Sequence, residues 1–468
     1  VRIEQFRIDG LGHLSTLLAD EDAGVAAVVD PRRDVDIYLE TTRASGLRIT
    51  HVLETHLHND YVSGGHELAT LTGATHVIGA GAALRHDHHG VRDRQVIDVG
   101  ALRVTALDTP GHTPEHVTYA VADTTRADEP ILLLTGGSLL VGAVGRTDLL
   151  GSEHAVPYAH AMHRSLHDVL LRHEDFVAVL PTHGAGSLCS TGIAPTPSST
   201  IGFERRHQHL LDPSLDADAF ARALLTGQPT FPRYFARMRP TNQAGPRLLG
   251  GRVPDVPPLP VEAVEQALAG GAVVVDARAA AAHAAEHLPG SISIPADGSF
   301  GTWLGWVVDA DRPIVLVIER IDDLDDLARQ AIRIGCESVV GYLQGGIRTW
   351  AEAGRPLEAG GSLSIDGLAA ALDDPSLAPL LVDVRQASEY DDGHVPGALL
   401  IGAGALDERL DELPRDRPIA TMCASGYRAS VAASLLRAAG FEDVRWVADG
   451  VDAWRAAGYP VVTGGGGA

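Results

Sequence analysis

The sequence predicts an α/β protein built as three successive units. Three observations carry that expectation. Short β-branched runs alternate with helical patterns along the chain. Residues 240–260 are rich in Pro, Gly and Arg and read as a linker. Beyond them, two segments repeat one another at an offset of about a hundred residues, as duplicated domains would. The expected units are residues 1–250, 259–358 and 362–462.

In the first unit, strand-like runs cover residues 25–29, 49–53, 102–107 and 176–180. Histidines cluster just after three of them. Thr55-His56-Leu57-His58-Asn59-Asp60-Tyr61 follows the second run, Pro110-Gly111-His112-Thr113-Pro114 the third, and Pro181-Thr182-His183-Gly184 the fourth. Strand ends are where α/β folds assemble sites, and imidazole suits zinc and iron. This pattern predicts a metal site. His86, His88 and His89 fall in a polar loop and are expected to be solvated. His160, His163 and His167 share one helical face, which predicts exposure.

The repeat is read from matched motifs. Val273-Val274-Val275-Asp276-Ala277-Arg278 and His287-Leu288-Pro289-Gly290 in the second unit match Leu381-Val382-Asp383-Val384-Arg385 and His394-Val395-Pro396-Gly397 in the third. Gly346-Ile347-Arg348-Thr349-Trp350 matches Gly450-Val451-Asp452-Ala453-Trp454. Both segments alternate strand and helix, as parallel sheets require.

In the third unit, Met422-Cys423-Ala424-Ser425-Gly426-Tyr427-Arg428 separates a strand-like run, 418–422, from a helical stretch, 431–439. The cysteine therefore sits at a helix N-terminus, where backbone N–H groups and the dipole favour an anion. Arg428 adds positive charge. Such surroundings favour a reactive thiolate. The four residues between Cys423 and Arg428 form a smaller ring than a phosphate loop, suited to one sulfur atom. The plain alternative is an inert buried thiol. The second unit offers Glu319-Arg320-Ile321-Asp322-Asp323 at the equivalent place, with no nucleophile.

Composition narrows the partners. The 468 residues carry a formal net charge of −24, which argues against nucleic acid and anionic membranes. The three cysteines, Cys189, Cys336 and Cys423, lie far apart and predict free thiols in a cytoplasmic setting. The first residues lack a basic and then apolar leader pattern. The longest apolar stretch, 131–144, is interrupted by Thr135, Gly136, Gly137, Ser138 and Gly142, so no membrane span is expected.

Residues 362–462 resemble the rhodanese family, and 259–358 resemble it without the cysteine. The resemblance implies a persulfide carried on Cys423, with Arg428 beside it and Asp383 and Arg385 in structural roles. The middle unit is then a packing or docking module. Residues 1–240 resemble the metallo-β-lactamase superfamily, and within it the non-haem iron persulfide dioxygenases, through Asp30-Pro31-Arg32, His56-Leu57-His58, Gly111-His112-Thr113-Pro114 and Gly145-Arg146-Thr147-Asp148. This implies an αββα sandwich and oxidation of a low-molecular-weight persulfide such as glutathione persulfide, with thiosulfate or sulfite as further sulfur partners. Arg146 is the expected anchor for an anionic thiol, with an ion pair as its alternative.

The sequence departs from that family at two positions. Gly137 stands where the family has its metal-binding carboxylate, and Tyr61 where the superfamily's second metal site has a histidine. The ligand set left is His56, His58, Asp60 and His112, for Fe(II) or alternatively Zn(II). Restoring the carboxylate with Gly137→Asp is expected to raise iron occupancy. A zinc hydrolase of the glyoxalase II type and a scaffold around a single transferase stay open, as does homo-oligomerisation.

Overall fold

A computed structural model describes residues 1–374 and 378–466. It divides into two compact units, Val1–Pro254 together with Ile332–Gly335, and Asp255–Ala331 together with the chain from Cys336 onward.

Two six-stranded sheets build the first unit. One runs in chain order through Arg2–Ile8, His13–Asp20, Val25–Val29, Arg48–Leu53, Thr75–Gly79 and His89–Val91, antiparallel at first and parallel from Val25 on. The other contains Val96–Val99, Leu102–Asp108, Val117–Asp123, Leu132–Gly136, Ala178–Pro181 and Ser199–Thr200. The strands alternate their side chains between two faces. Leu18, Val29, Leu53 and Val77 of the first sheet thus share a buried core with Val104, Tyr119, Val121 and Leu134 of the second. Outer-facing residues of the first sheet pack on helices Asp36–Ala44 and Gly65–Thr72. Those of the second pack on Ser152–Arg164 and Ala217–Leu225. This is the αββα sandwich.

The stretch read as a linker is partly structured. Phe235–Ala244 is a helix. Its buried Asn242 accepts from the Ser63 N–H (2.9 Å) and donates to the carbonyls of His58 and Tyr61 (3.0 Å each). The Leu249 and Gly251 amides donate to buried Glu67 (3.0 and 2.7 Å). Pro- and Gly-rich composition hid a segment that is fixed by single polar anchors.

Two five-stranded, all-parallel sheets build the second unit. Their spatial orders match. Pro258–Leu259, Val339–Leu343, Ile314–Val317, Val273–Asp276 and Ile292–Ser293 correspond to Gly361–Leu363, Val444–Val447, Ile419–Met422, Leu380–Asp383 and Leu399–Leu400. The repeated Asp-x-Arg element makes the same clasp in both. Arg278 binds Asp276 and the Glu286 carbonyl, and Arg385 binds Asp383 and the Gly393 carbonyl. No helix among the described residues is long and apolar enough to cross a membrane.

Candidate functional sites

Hydrogen bonds behind the histidines prepare the first site. Asp30 follows strand Val25–Val29, and its carboxylate accepts from the Thr55 amide (2.7 Å), the Thr55 hydroxyl (2.8 Å), the Thr182 hydroxyl and His58 Nε2 (3.2 Å). The Thr55 proton is spent on Asp30, so His56 Nδ1 must donate to the Thr55 oxygen (2.9 Å). That leaves the His56 Nε2 lone pair turned toward the other rings, with His183 Nε2 at 3.4 Å. His112 Nδ1 donates to the Arg146 carbonyl (2.8 Å), which leaves Nε2 bare. His58, held through Nε2, presents Nδ1. Outer partners of this kind fix the tautomer a metal needs. Burial keeps His56 and His112 neutral by lowering both, His112 to about 3.

The rings converge. His56 lies 4.9 Å from His112 and 5.4 Å from His183, and His112 lies 5.5 Å from His183, centroid to centroid. His56 Nε2 and His183 Nε2 face each other at 3.4 Å. Donor atoms of His56, His58 and His183 lie close enough together to hold one ion, as do those of His112, His183 and Cys189. His58 Nδ1 and His112 Nε2 are buried with no hydrogen-bond partner. Buried polar atoms are rarely left bare, so the donor set fits a divalent transition metal.

Asp60 stands one step back from that set. Its Oδ2 is 3.2 Å from His183 Nδ1. Burial opposes the charges of both groups, but their mutual attraction outweighs it, lowering Asp60 and, with Cys189, raising His183. Asp60 is thus an ion-pair neighbour of His183 and lies outside the two groups of donor atoms. Gly137 contributes a backbone N–H to His116 Nε2 (3.0 Å). The other His116 nitrogen pairs with Thr109 (2.9 Å), so His116 has no free donor. A Cβ at position 137 would lie 2.2 Å from His112 Cδ2 and 2.7 Å from Nε2. That crowding overturns the expectation that Gly137→Asp simply restores a ligand.

Arg146 is not an open anchor. It is 2% exposed and bound to Asp148, to the carbonyls of Leu188 and Pro229, and over the Phe231 ring. Its amide also donates to the Cys189 carbonyl (2.8 Å). Arg146 therefore braces the turn that carries Cys189, while its own carbonyl holds His112.

The second site forms at Cys423, just after strand Ile419–Met422 and before helix Tyr427–Ala438. Gly426 caps the helix at φ 91°, where a Cβ would lie 2.3 Å from the Ala448 carbonyl. This left-handed turn aims the Gly426 N–H at Cys423 Sγ (3.1 Å). Arg428 makes a two-pronged pair with Glu389 (2.6 Å each), so its charge is shared and not offered to sulfur alone.

The rhodanese-like domain family matches residues 260–353 and 364–457. A metallo-β-lactamase crystal structure from Staphylococcus aureus aligns at a TM-score of 0.65 with 29% identity, covering 73% of this chain and 98% of that one. The chain is a metallo-β-lactamase fold followed by two rhodanese-like domains. A hydroxyacylglutathione hydrolase of Methylococcus capsulatus is 40% identical over 111 residues, which are 23% of this chain and 42% of that protein. One from Dictyostelium discoideum is 29% identical over 133 residues, 28% and 50% respectively. The chain thus spans about half or less of these two relatives.

Of the two rhodanese-like domains, only the second has a cysteine in its loop. The first places a short 3₁₀ turn, Ile321–Asp323, at that point. Its Cys336 is fully buried. In the metallo-β-lactamase-fold domain, sequence reading flagged His183 as a strand-end histidine without placing it in the ligand set, and missed Cys189 and His13. His13 is buried against the Asp30 carbonyl (2.9 Å) and lowered by burial to about 3. The usable signal was a cysteine six residues after a strand-end histidine in a Gly/Ser turn. His86 was expected in solvent, yet both its ring nitrogens are buried, and it packs against His66 and His76.

The Glu389–Arg428 pair carries a pH prediction. Burial works to raise the Glu389 carboxyl, but Arg428 prevails and holds it below the usual range. A depressed carboxyl stabilises above its unfolded-state value and loses that contribution as pH falls through the folded-state value. The pair is partly exposed, so Glu389→Gln is expected to cost only about 0.5–1 kcal/mol at pH 7. Urea unfolding of variant and wild type should converge as pH falls below about 4. A gap that widens in acid would contradict this.

Proposed function

We propose that this chain handles sulfane sulfur, with Cys423 as the sulfur carrier of the second rhodanese-like domain. The Cys423 thiolate attacks the outer sulfur of thiosulfate. The S–S bond breaks, sulfite leaves with the bonding pair, and Cys423 holds a persulfide. A nucleophilic acceptor then takes the terminal sulfur and returns the thiolate. The Gly426 N–H steadies negative charge on the cysteine sulfur throughout. The observation that carries this reading is that contact, made in a loop absent from the preceding domain.

The metallo-β-lactamase-fold domain is proposed to oxidise a low-molecular-weight persulfide. The glutathione persulfide anion, dioxygen and water would give glutathione, sulfite and a proton. His56, His58 and His183, or His112, His183 and Cys189, would hold the ion. Bound iron would supply binding positions and redox chemistry for sulfur and dioxygen, and zinc a Lewis acid. Asp30, Thr55 and the Arg146 carbonyl keep the imidazoles oriented. The likeness to hydroxyacylglutathione hydrolases favours a second reading, hydrolysis of a glutathione thioester by zinc.

Metal content and two assays separate these readings. Substoichiometric iron with slow oxygen uptake and sulfite formation on glutathione persulfide is expected, the rate held down by the missing carboxylate at position 137. Zinc with hydrolysis of S-lactoylglutathione and no oxygen uptake would move the domain to the second reading.

A further inference from the structure

The Cys423 loop does not stand on its own domain alone. Tyr427, between the cap Gly426 and Arg428, turns its side chain toward the first rhodanese-like domain, within the same compact unit. Its hydroxyl donates to the Pro295 carbonyl (3.1 Å). The hydroxyl also neighbours the Asp297 carboxylate, and burial together with that carboxylate raises it. The Tyr427 ring lies 6.2 Å from Trp303. Trp303 is on helix Phe300–Val307 of the first domain, and it packs on the core around Cys423, Ala429 and Trp446. A second tie lies two turns further along helix Tyr427–Ala438, where the Ser434 hydroxyl accepts from the Ser293 N–H (3.0 Å). Position 404, in a 3₁₀ segment that joins the same core, is a glycine pressed on Trp306, with a Cβ position 1.9 Å from its ring.

We propose that the cysteine-less domain is a positioning element for sulfur transfer, acting through Pro295, Asp297 and Trp303 on Tyr427. Cys423 is 1% exposed and reaches substrate only through a loop whose shape is set at Gly426. The next residue, Tyr427, has its side-chain end fastened outside the domain. Releasing it leaves Cys423 and Arg428 in place chemically but loosens the turn that aims the Gly426 N–H at sulfur. Pro295 and Asp297 lie past strand Ile292–Ser293, so a domain without a nucleophile still has chemistry to guard. This inference rests on the reading of Cys423 as the sulfur carrier.

The test uses the full chain and thiosulfate with cyanide as probes. Tyr427→Phe keeps the ring beside Trp303 and removes only the hydroxyl. It is expected to lower kcat about tenfold with little change in KM, since small misplacements of reacting groups carry penalties of this order. Asp297→Ala should lower kcat in the same direction, and Asp297→Asn, which keeps an acceptor oxygen, should recover most of the loss. The double variant Tyr427→Phe/Asp297→Ala should be no slower than the slower single variant, because coupled partners are not additive. Iodoacetamide labelling of Cys423, followed by peptide mass spectrometry, should change at least threefold in Tyr427→Phe. Rates within twofold of wild type, or multiplicative losses in the double variant, would overturn the proposal. Wild-type protein with no thiosulfate turnover would instead strike at the carrier reading, and the labelling result would still decide the positioning role.

Discussion

Cys423→Ser is expected to abolish thiocyanate formation from thiosulfate and cyanide, a loss of about 10³-fold or more of the kind seen when a covalent nucleophile is removed. Serine keeps the size of the side chain and the hydrogen bond from Gly426, so the fold has little reason to respond. It fails because a hydroxyl at neutral pH is a poor nucleophile and cannot carry a sulfane sulfur. Cys336→Ser is the matched control, since Cys336 is buried in the domain whose loop offers Glu319, Asp322 and Asp323. Its activity should stay close to wild type. Residual turnover in Cys423→Ser would mean that a second thiol transfers sulfur, and Cys189 would be the next residue to change.

Local sequence reached some parts of this molecule and not others, and the division is physical. Strand Val25–Val29 and the segment from Ile419 through the Cys423 loop were legible because period and turn chemistry are local properties. The clasp of Arg385 on Asp383 spans two residues and was legible too. The role of Arg146 was not. Three of its bonds depend on Leu188, Cys189 and Pro229, residues brought close only when the chain returns after strand Ala178–Pro181. A closure of the same kind delivers Cys189. The Gly184 amide donates to the Gly12 carbonyl (2.6 Å), and position 12 leaves no room for a side chain against Ser187. The partner of Glu389 was not legible for a similar reason. Glu389 caps its own helix, as its sequence position suggests, but its pairing with Arg428 bridges two turns far apart in sequence.

In the metallo-β-lactamase-fold domain, the strongest expected effect is loss of the ion with His112→Ala, by about 100-fold or more in affinity, beyond what outer-partner changes bring. His112 Nε2 is bare and buried, so no protein atom takes the place of a metal there. Gly137→Asp tests the same ring from the other side. An added Cβ at 2.7 Å from Nε2 forces the imidazole back. Retreat is opposed by the Nδ1 bond to the Arg146 carbonyl, and Arg146 is fixed by Asp148 and by the turn that carries Cys189. The substitution therefore meets overpacking of about 1–3 kcal/mol before its carboxylate can reach an ion. Gly137→Asp is expected to lower the melting temperature and to leave iron content at or below the wild-type value. Thermal unfolding and metal analysis on the same preparation check both halves. A variant that melts with the wild type and fills with iron would show that His112 has room to withdraw, and that glycine alone kept the site from holding its metal.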